Sequence, residues 1–131
     1  MAISKIFREL MPITTKSWTN QSVEANTWYV GASINIPAGS KVLILAGTNN
    51  GKGSKIANGC NLNHSSGTAN TVLIGNGICD AGSSNSTIGW AYIDANTDCV
   101  IQVRQYGYTE AISASANGVV LAITLQGKKA T

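Results

Sequence analysis

Apolar and polar residues alternate with a period of two over most of this chain. Trp28, Val30, Ala32, Ile34 and Ile36 share one parity, and Tyr29, Gly31, Ser33 and Asn35 share the other. That is the pattern of a strand with one covered face. Pro37-Ala38-Gly39-Ser40 turns the chain, and Val42-Leu43-Ile44-Leu45-Ala46 then runs without a polar break, as a strand covered on both faces would. Further strands are expected near residues 55–62 and 71–74, with residues 80–86 as a small polar loop. Residues 87–95 and 97–106 read as strands paired about Ala95-Asn96; in the second, Cys99, Ile101 and Val103 face one way and Asp98, Gln102 and Arg104 the other. Near the C-terminus Val119, Leu121, Ile123 and Leu125 alternate with Val120, Ala122, Thr124 and Gln126.

Asn-Gly dipeptides at Asn50-Gly51, Asn58-Gly59, Asn76-Gly77 and Asn117-Gly118 fall beside or between these runs. Asn and Gly accept the positive φ angles of tight two-residue hairpins, so four such dipeptides argue for an antiparallel β protein. The expected fold is all-β: an antiparallel, jelly-roll-like β-sandwich of about eight strands spanning residues 13–131.

Residues 1–12 follow a different period. Ile3, Ile6, Phe7, Leu10 and Met11 recur at helical spacing, with Lys5, Arg8 and Glu9 opposite, Ser4 as an N-cap and Pro12 as the stop. This short amphipathic arm is expected to dock on a neighbouring subunit or particle. The alternative is a helix folded onto its own core.

Composition narrows the function classes. Charged residues make up only 11% of the 131, against a usual share of about a quarter. Asn, Ser, Thr and Gly take their place, a surface suited to packing against neighbours. The net charge of +3 comes from scattered Lys and Arg with no stripe interleaved with aromatics. Nucleic-acid binding is therefore not expected. Nor is a membrane span, a signal peptide or Sec export.

Candidate chemistry is sparse. Cys60, Cys79 and Cys99 form no CxxC pair and read as reduced, buried small hydrophobes; the alternative is a zinc site of these three with His64, which has C-x3-H spacing from Cys60. His64 falls in the polar stretch 61–67, where an exposed histidine is expected, and Asp94 and Asp98 flank a turn. The segment 47–54 ends Gly-Lys-Gly-Ser, without phosphate-loop spacing or a following helix. No enzymatic activity and no cofactor are expected. Trp90, Tyr92, Tyr106 and Tyr108 lie in or beside consecutive predicted strands and form a candidate glycan platform, with core packing as the alternative.

The segments "INIPAGSKVLILAG", "GWAYIDANTDCVIQVRQYGY" and "GVVLAITLQG" resemble small jelly-roll modules of tailed bacteriophages, found as capsid decoration proteins, head fibres and tail-fibre heads, many of them trimeric. The resemblance covers about half the chain as strand texture and carries over no binding residue. It implies a virion structural protein, capsid-decorating or head-fibre, made in the host cytoplasm and partnered by other virion proteins. The second reading is a tail-fibre or spike head that recognises surface glycans. Low charge and a final strand apolar on both faces further suggest a homo-oligomer, expected as a trimer, with Val120 and Ala122 as its candidate interface.

Overall fold

The period-two pattern produces strands throughout the computed structural model, which describes residues 11–51, 57–79, 86–108 and 110–131. Nine strands follow in order: β1 (Ile13–Val23), β2 (Thr27–Ile36), β3 (Lys41–Asn49), β4 (Asn58–Ser66), β5 (Ala69–Gly75), β6 (Gly77–Cys79), β7 (Ser86–Ala95), β8 (Cys99–Gly107) and β9 (Ile112–Gln126). Among the described residues there is no helix. The strands form a five-stranded sheet, β1-β9-β3-β7-β5, packed on a four-stranded sheet, β2-β8-β4-β6. Every named pairing is antiparallel. Successive strands alternate between the two sheets, so each connection crosses the sandwich, giving a jelly-roll-like topology.

That alternation overturns the expected hairpins. No two strands consecutive in the chain are hydrogen-bonded neighbours. β7 and β8 lie in opposite sheets, and the amides of Asn96 and Thr97 between them donate to the carbonyl of Thr68. The Asn-Gly pairs serve elsewhere: Asn58-Gly59 lies in β4, Asn117-Gly118 in β9, and Asn76-Gly77 joins β5 to β6 across the layers. A type I′ hairpin needs positive φ at both central residues, yet of these eight residues only Gly51 (φ 91°) has it. The physical reason is packing. Long-range pairing that buries the apolar parity of the strands outweighs the local preference of an Asn-Gly pair for a hairpin.

That core is built from the inward parity of both sheets. Val42, Ile44, Ile93, Ala91, Val120 and Ala122 from the five-stranded sheet meet Ile34, Ile36, Ile101, Val103 and Leu62 from the other. β2 does not keep one face along its length. A register shift between Val30 and Ala32 leaves Gly31 as an extra residue, a bulge that reverses the facing of the strand. Ala32, Ile34 and Ile36 point inward, while Trp28 and Val30, read above as sharing their face, are exposed. Gly31 also makes room for Trp18, as does Gly118, since a side chain at either would run into the indole.

The buried indole starts a polar seam. Trp18 Nε1 donates to Gln105 Oε1 (3.0 Å), Gln105 Nε2 donates to the carbonyl of Asn49 (3.0 Å), and Thr48 Oγ1 donates to Asn58 Oδ1 (2.8 Å). Each bond is between strands or strand ends of different sheets, so the seam ties the layers where apolar packing alone would let them slide. At the opposite end the chain terminus pairs with β2: Thr131 and Asn35 exchange backbone bonds of 3.0 and 2.8 Å, which covers an exposed edge.

Of the expected arm, Ile3, Ile6, Phe7 and Leu10 lie outside the described residues. Met11 is exposed, and the Pro12 carbonyl accepts from the amide of Thr124 at 2.9 Å. The expected loop at 80–86, except Ser86, and the first residues of the strand expected from 55 also fall outside them. β1 and β6 are strands that periodicity did not single out.

Candidate functional site

The sandwich has two outer faces, and their side chains differ in kind. On the five-stranded sheet the outward residues align in rows across the strands. Ile13, Ile123, Leu43, Tyr92 and Leu73 make one row through all five strands. Thr15, Leu121, Leu45 and Trp90 make the next, ending at Gly75, over which the Trp90 indole lies. Ser17, Val119, Gly47 and Ile88 make the third. Gly47 leaves a depression walled by Leu45, Ile88, Trp90, Val119 and Leu121.

Several of these apolar residues are open to solvent: Ile88 is 76% exposed, Val119 55%, and Ile13 and Leu73 52% each, while Leu43, Leu121 and Ile123 are half-buried. Polar residues bound the rows at both ends, with Lys41, Asp94 and Thr71 at one and Asn49, Ser86 and Asn117 at the other. An apolar centre inside a polar rim is the anatomy of a protein interface.

The four-stranded sheet presents a different surface. Trp28 on β2, Tyr106 on β8 and Gly59 on β4 are register partners, with Ile78 of β6 beyond them. Trp28 and Tyr106 stack with ring centroids 4.3 Å apart, and Tyr108 meets Tyr106 edge-on at 4.6 Å. Gly59 leaves room for the Tyr108 hydroxyl, which a side chain there would crowd. In the adjacent row Arg104 carries its guanidinium 4.5 Å over the Trp28 ring. Its Nε and Nη2 both donate to Asn61 Oδ1, at 3.2 and 2.6 Å. Gln102, Ser33 and Asn63 continue the polar surface in the row beyond. Between Arg104 and Tyr106, Gln105 points inward into the polar seam, which anchors β8 beneath both.

The structure rearranges the expected site residues. Trp90 and Tyr92 lie on the outer face of the five-stranded sheet, whereas Tyr106 belongs to the other sheet with Tyr108 against it, so the four aromatics form no common platform. The reason is topological: β7 and β8 are consecutive but occupy opposite layers. Trp28, which was not grouped with them, completes the cluster because the bulge at Gly31 turns it outward. Val120 and Ala122 are fully buried in the chain's own core and present no surface to another subunit. Strand parity explains this correction. The free residues of β9 are Val119, Leu121 and Ile123, one position out of step.

Titratable groups are dispersed. Asp98 Oδ1 accepts from the amide of Ala38 at 2.9 Å, a turn-fixing role. His64 is half-buried on β4 rather than exposed in a polar turn, and its Nε2 is buried without a hydrogen-bond partner. Cys60, Cys79 and Cys99 are buried and outside any disulfide. Burial pushes the Cys60 thiol up to about 11, opposed by hydrogen bonds to Gly89 and Thr48, so it holds its proton at neutral pH. Among the described residues no three His, Cys, Asp or Glu side chains are grouped to hold a metal.

No protein-family model matches this chain, and no curated protein matches it.

Proposed function

We propose that this protein is a non-enzymatic structural subunit of a bacteriophage virion, capsid-decorating or head-fibre in type, that self-associates through the outer face of its five-stranded sheet. One observation carries the assembly reading: three aligned, mainly apolar rows with no charge among them, in which Ile13, Leu45, Leu73, Ile88, Trp90 and Val119 are exposed, framed by polar residues at both ends. Left in water, such a surface is costly, since burying it is worth roughly 25 cal/mol per Å². Five strands at about 4.8 Å spacing and three rows make a face of several hundred Å², at or above the largest apolar patch of an ordinary monomer. A second copy is the natural cover. It brings an identical apolar face, and about a three-fold axis the face of each copy meets those of both neighbours.

The virion assignment rests on the bacteriophage jelly-roll resemblance, to which the strand alternation is congenial. In this reading Ile3, Ile6, Phe7, Leu10 and Met11 dock the subunit on the particle. A mass of three chains is the expected assembly.

Sedimentation velocity across micromolar concentrations tests self-association. The wild type should sediment as an oligomer and Leu45→Asp as a folded monomer. A wild-type monomer at every concentration rejects the assembly reading. Antibody labelling of virions seen in negative stain tests the location, and unlabelled particles reject it. Deleting residues 1–11 should leave the oligomer intact and remove labelling from the particle.

A further inference from the structure

The four-stranded sheet carries a surface that the assembly reading leaves unused. Aromatic rings on the outer side of a sheet are not packed in the core, yet Trp28, Tyr106 and Tyr108 are gathered there, the first pair tilted at 42° and the second edge to face. Trp28 remains 45% exposed despite stacking on Tyr106. Beside the rings stands a preorganised cation. Asn61 holds Arg104 through two N–H groups, leaving N–H donors on the guanidinium for another acceptor. Among the described residues no carboxylate pairs with Arg104, whose interactions are with Asn61 and the Trp28 face. Asn63, Gln102 and Ser33 add planar amides and a hydroxyl in the next row.

We propose that Trp28, Tyr106, Tyr108, Arg104 and Asn61 form a binding site for a carboxylate-bearing sugar, a uronic or sialic acid residue of a surface glycan. A pyranose has an apolar C–H face that packs on an aromatic ring, while its hydroxyls lie at the ring edge, where amides and hydroxyls meet them. The guanidinium adds a planar fork of donors matched to a carboxylate. An acidic sugar joins both requirements in one ring. A nucleic acid fits less well, because phosphate binding draws on several cations along a strand and this row offers one. Trp90 and Tyr92 on the other face are a poorer fit, since Leu45, Leu43, Leu73 and Leu121 surround them, and in the row beside Tyr92 the cation Lys41 stands opposite the carboxylate of Asp94.

The test is isothermal titration calorimetry of the full chain with oligogalacturonate, oligosialic acid, a neutral galacto-oligosaccharide of equal length and a short oligodeoxynucleotide. At least one acidic oligosaccharide should bind, about tenfold or more tighter than the neutral one, a gap of roughly 1.4 kcal/mol. Which acid binds separates the uronic from the sialic source. Arg104→Gln should remove the preference for the acid, and Trp28→Leu, which keeps an apolar cover on the sheet, should abolish binding with the melting temperature retained. Leu45→Asp, on the opposite face, should leave the affinity unchanged. No binding by either acid, equal binding of acidic and neutral sugars, tighter binding of the oligonucleotide, or binding that survives Trp28→Leu overturns the proposal. Because these readouts lie on the four-stranded sheet, their failure leaves the self-association experiment standing, and the reverse holds too.

Discussion

The two outer faces of this sandwich are made from antiparallel strands of the same period, yet they differ in how they meet water. Outward positions on β3, β7 and β9 carry Leu43, Leu45, Ile88, Trp90, Val119, Leu121 and Ile123. Outward positions on β2, β8 and β4 carry Ser33, Gln102, Arg104, Asn61 and Asn63, with aromatic rings at one end. Water competes for many polar groups on the second face and for few on the first, where Thr15, Ser17 and the tips of Trp90 and Tyr92 are the exceptions. Covering would therefore lower the free energy of the first, whereas the second is suited to exchanging water for a ligand with matching donors and acceptors. A sheet's outer face thus indicates what kind of partner it suits, macromolecular surface or small polar molecule, once strand parity says which residues point out.

The largest expected effect breaks the comparison at its base, which is parity. Val120→Asp places an unpaired carboxylate between the sheets and should cost more than about 4 kcal/mol, seen as loss of the folded state by near-UV circular dichroism. Its neighbour change Leu121→Asp falls on the outer face and should cost about 1 kcal/mol or less in stability while dissociating the oligomer. If Val120→Asp instead folds as a monomer, the two parities of β9 are exchanged.

A smaller effect comes from between the faces. The Cys60 thiol is held up at about 11, above its ordinary value near 9, because burial disfavours the thiolate. The unfolded chain ionises first as pH rises. Cys60 therefore contributes its full stability below pH 9 and loses it progressively as pH climbs through about 11, by roughly 2–3 kcal/mol in all. Melting temperatures from pH 8 to 10.5 should fall in the wild type and fall less in Cys60→Ala. Equal slopes in the two proteins would show that the alkaline loss starts elsewhere.

Salt gives the smallest expected effect and the sharpest contrast. Raising sodium chloride from about 0.05 to 0.5 M should weaken acidic-sugar binding at Arg104 by about twofold to threefold through screening. The same change should leave self-association through the apolar rows unchanged, and sulfate should strengthen it by favouring apolar burial. Parallel responses of the two measurements would mean that the faces are not chemically distinct.

Several of these features were legible in the residues. The unbroken run Val42–Ala46 read as a strand covered on both faces, and within one chain only Val42, Ile44 and Ala46 are covered. The surplus apolar parity of β3 and β9 was thus present in the sequence before any fold was known. Val120 and Ala122, expected at a subunit surface, are nonetheless core residues, because alternation along β9 is apolar on both sides and does not say which side meets the core. Of the four aromatics grouped by sequence, Tyr106 and Tyr108 lie together beside the four-stranded sheet, whereas Trp90 and Tyr92 lie on the other. Trp28 was hidden by a one-residue bulge, which no two-residue period can announce.

By itself, then, the sequence determined the strand character of the chain, the all-β antiparallel class, and the presence of more apolar surface than one core needs, because these depend on local periodicity and composition. Only the tertiary structure decided which strands pair, which parity faces inward, and which rings share a face. Those are long-range choices, made when nine strands bury their apolar sides together in two layers, and local turn chemistry at Asn-Gly pairs has too little energy to dictate them.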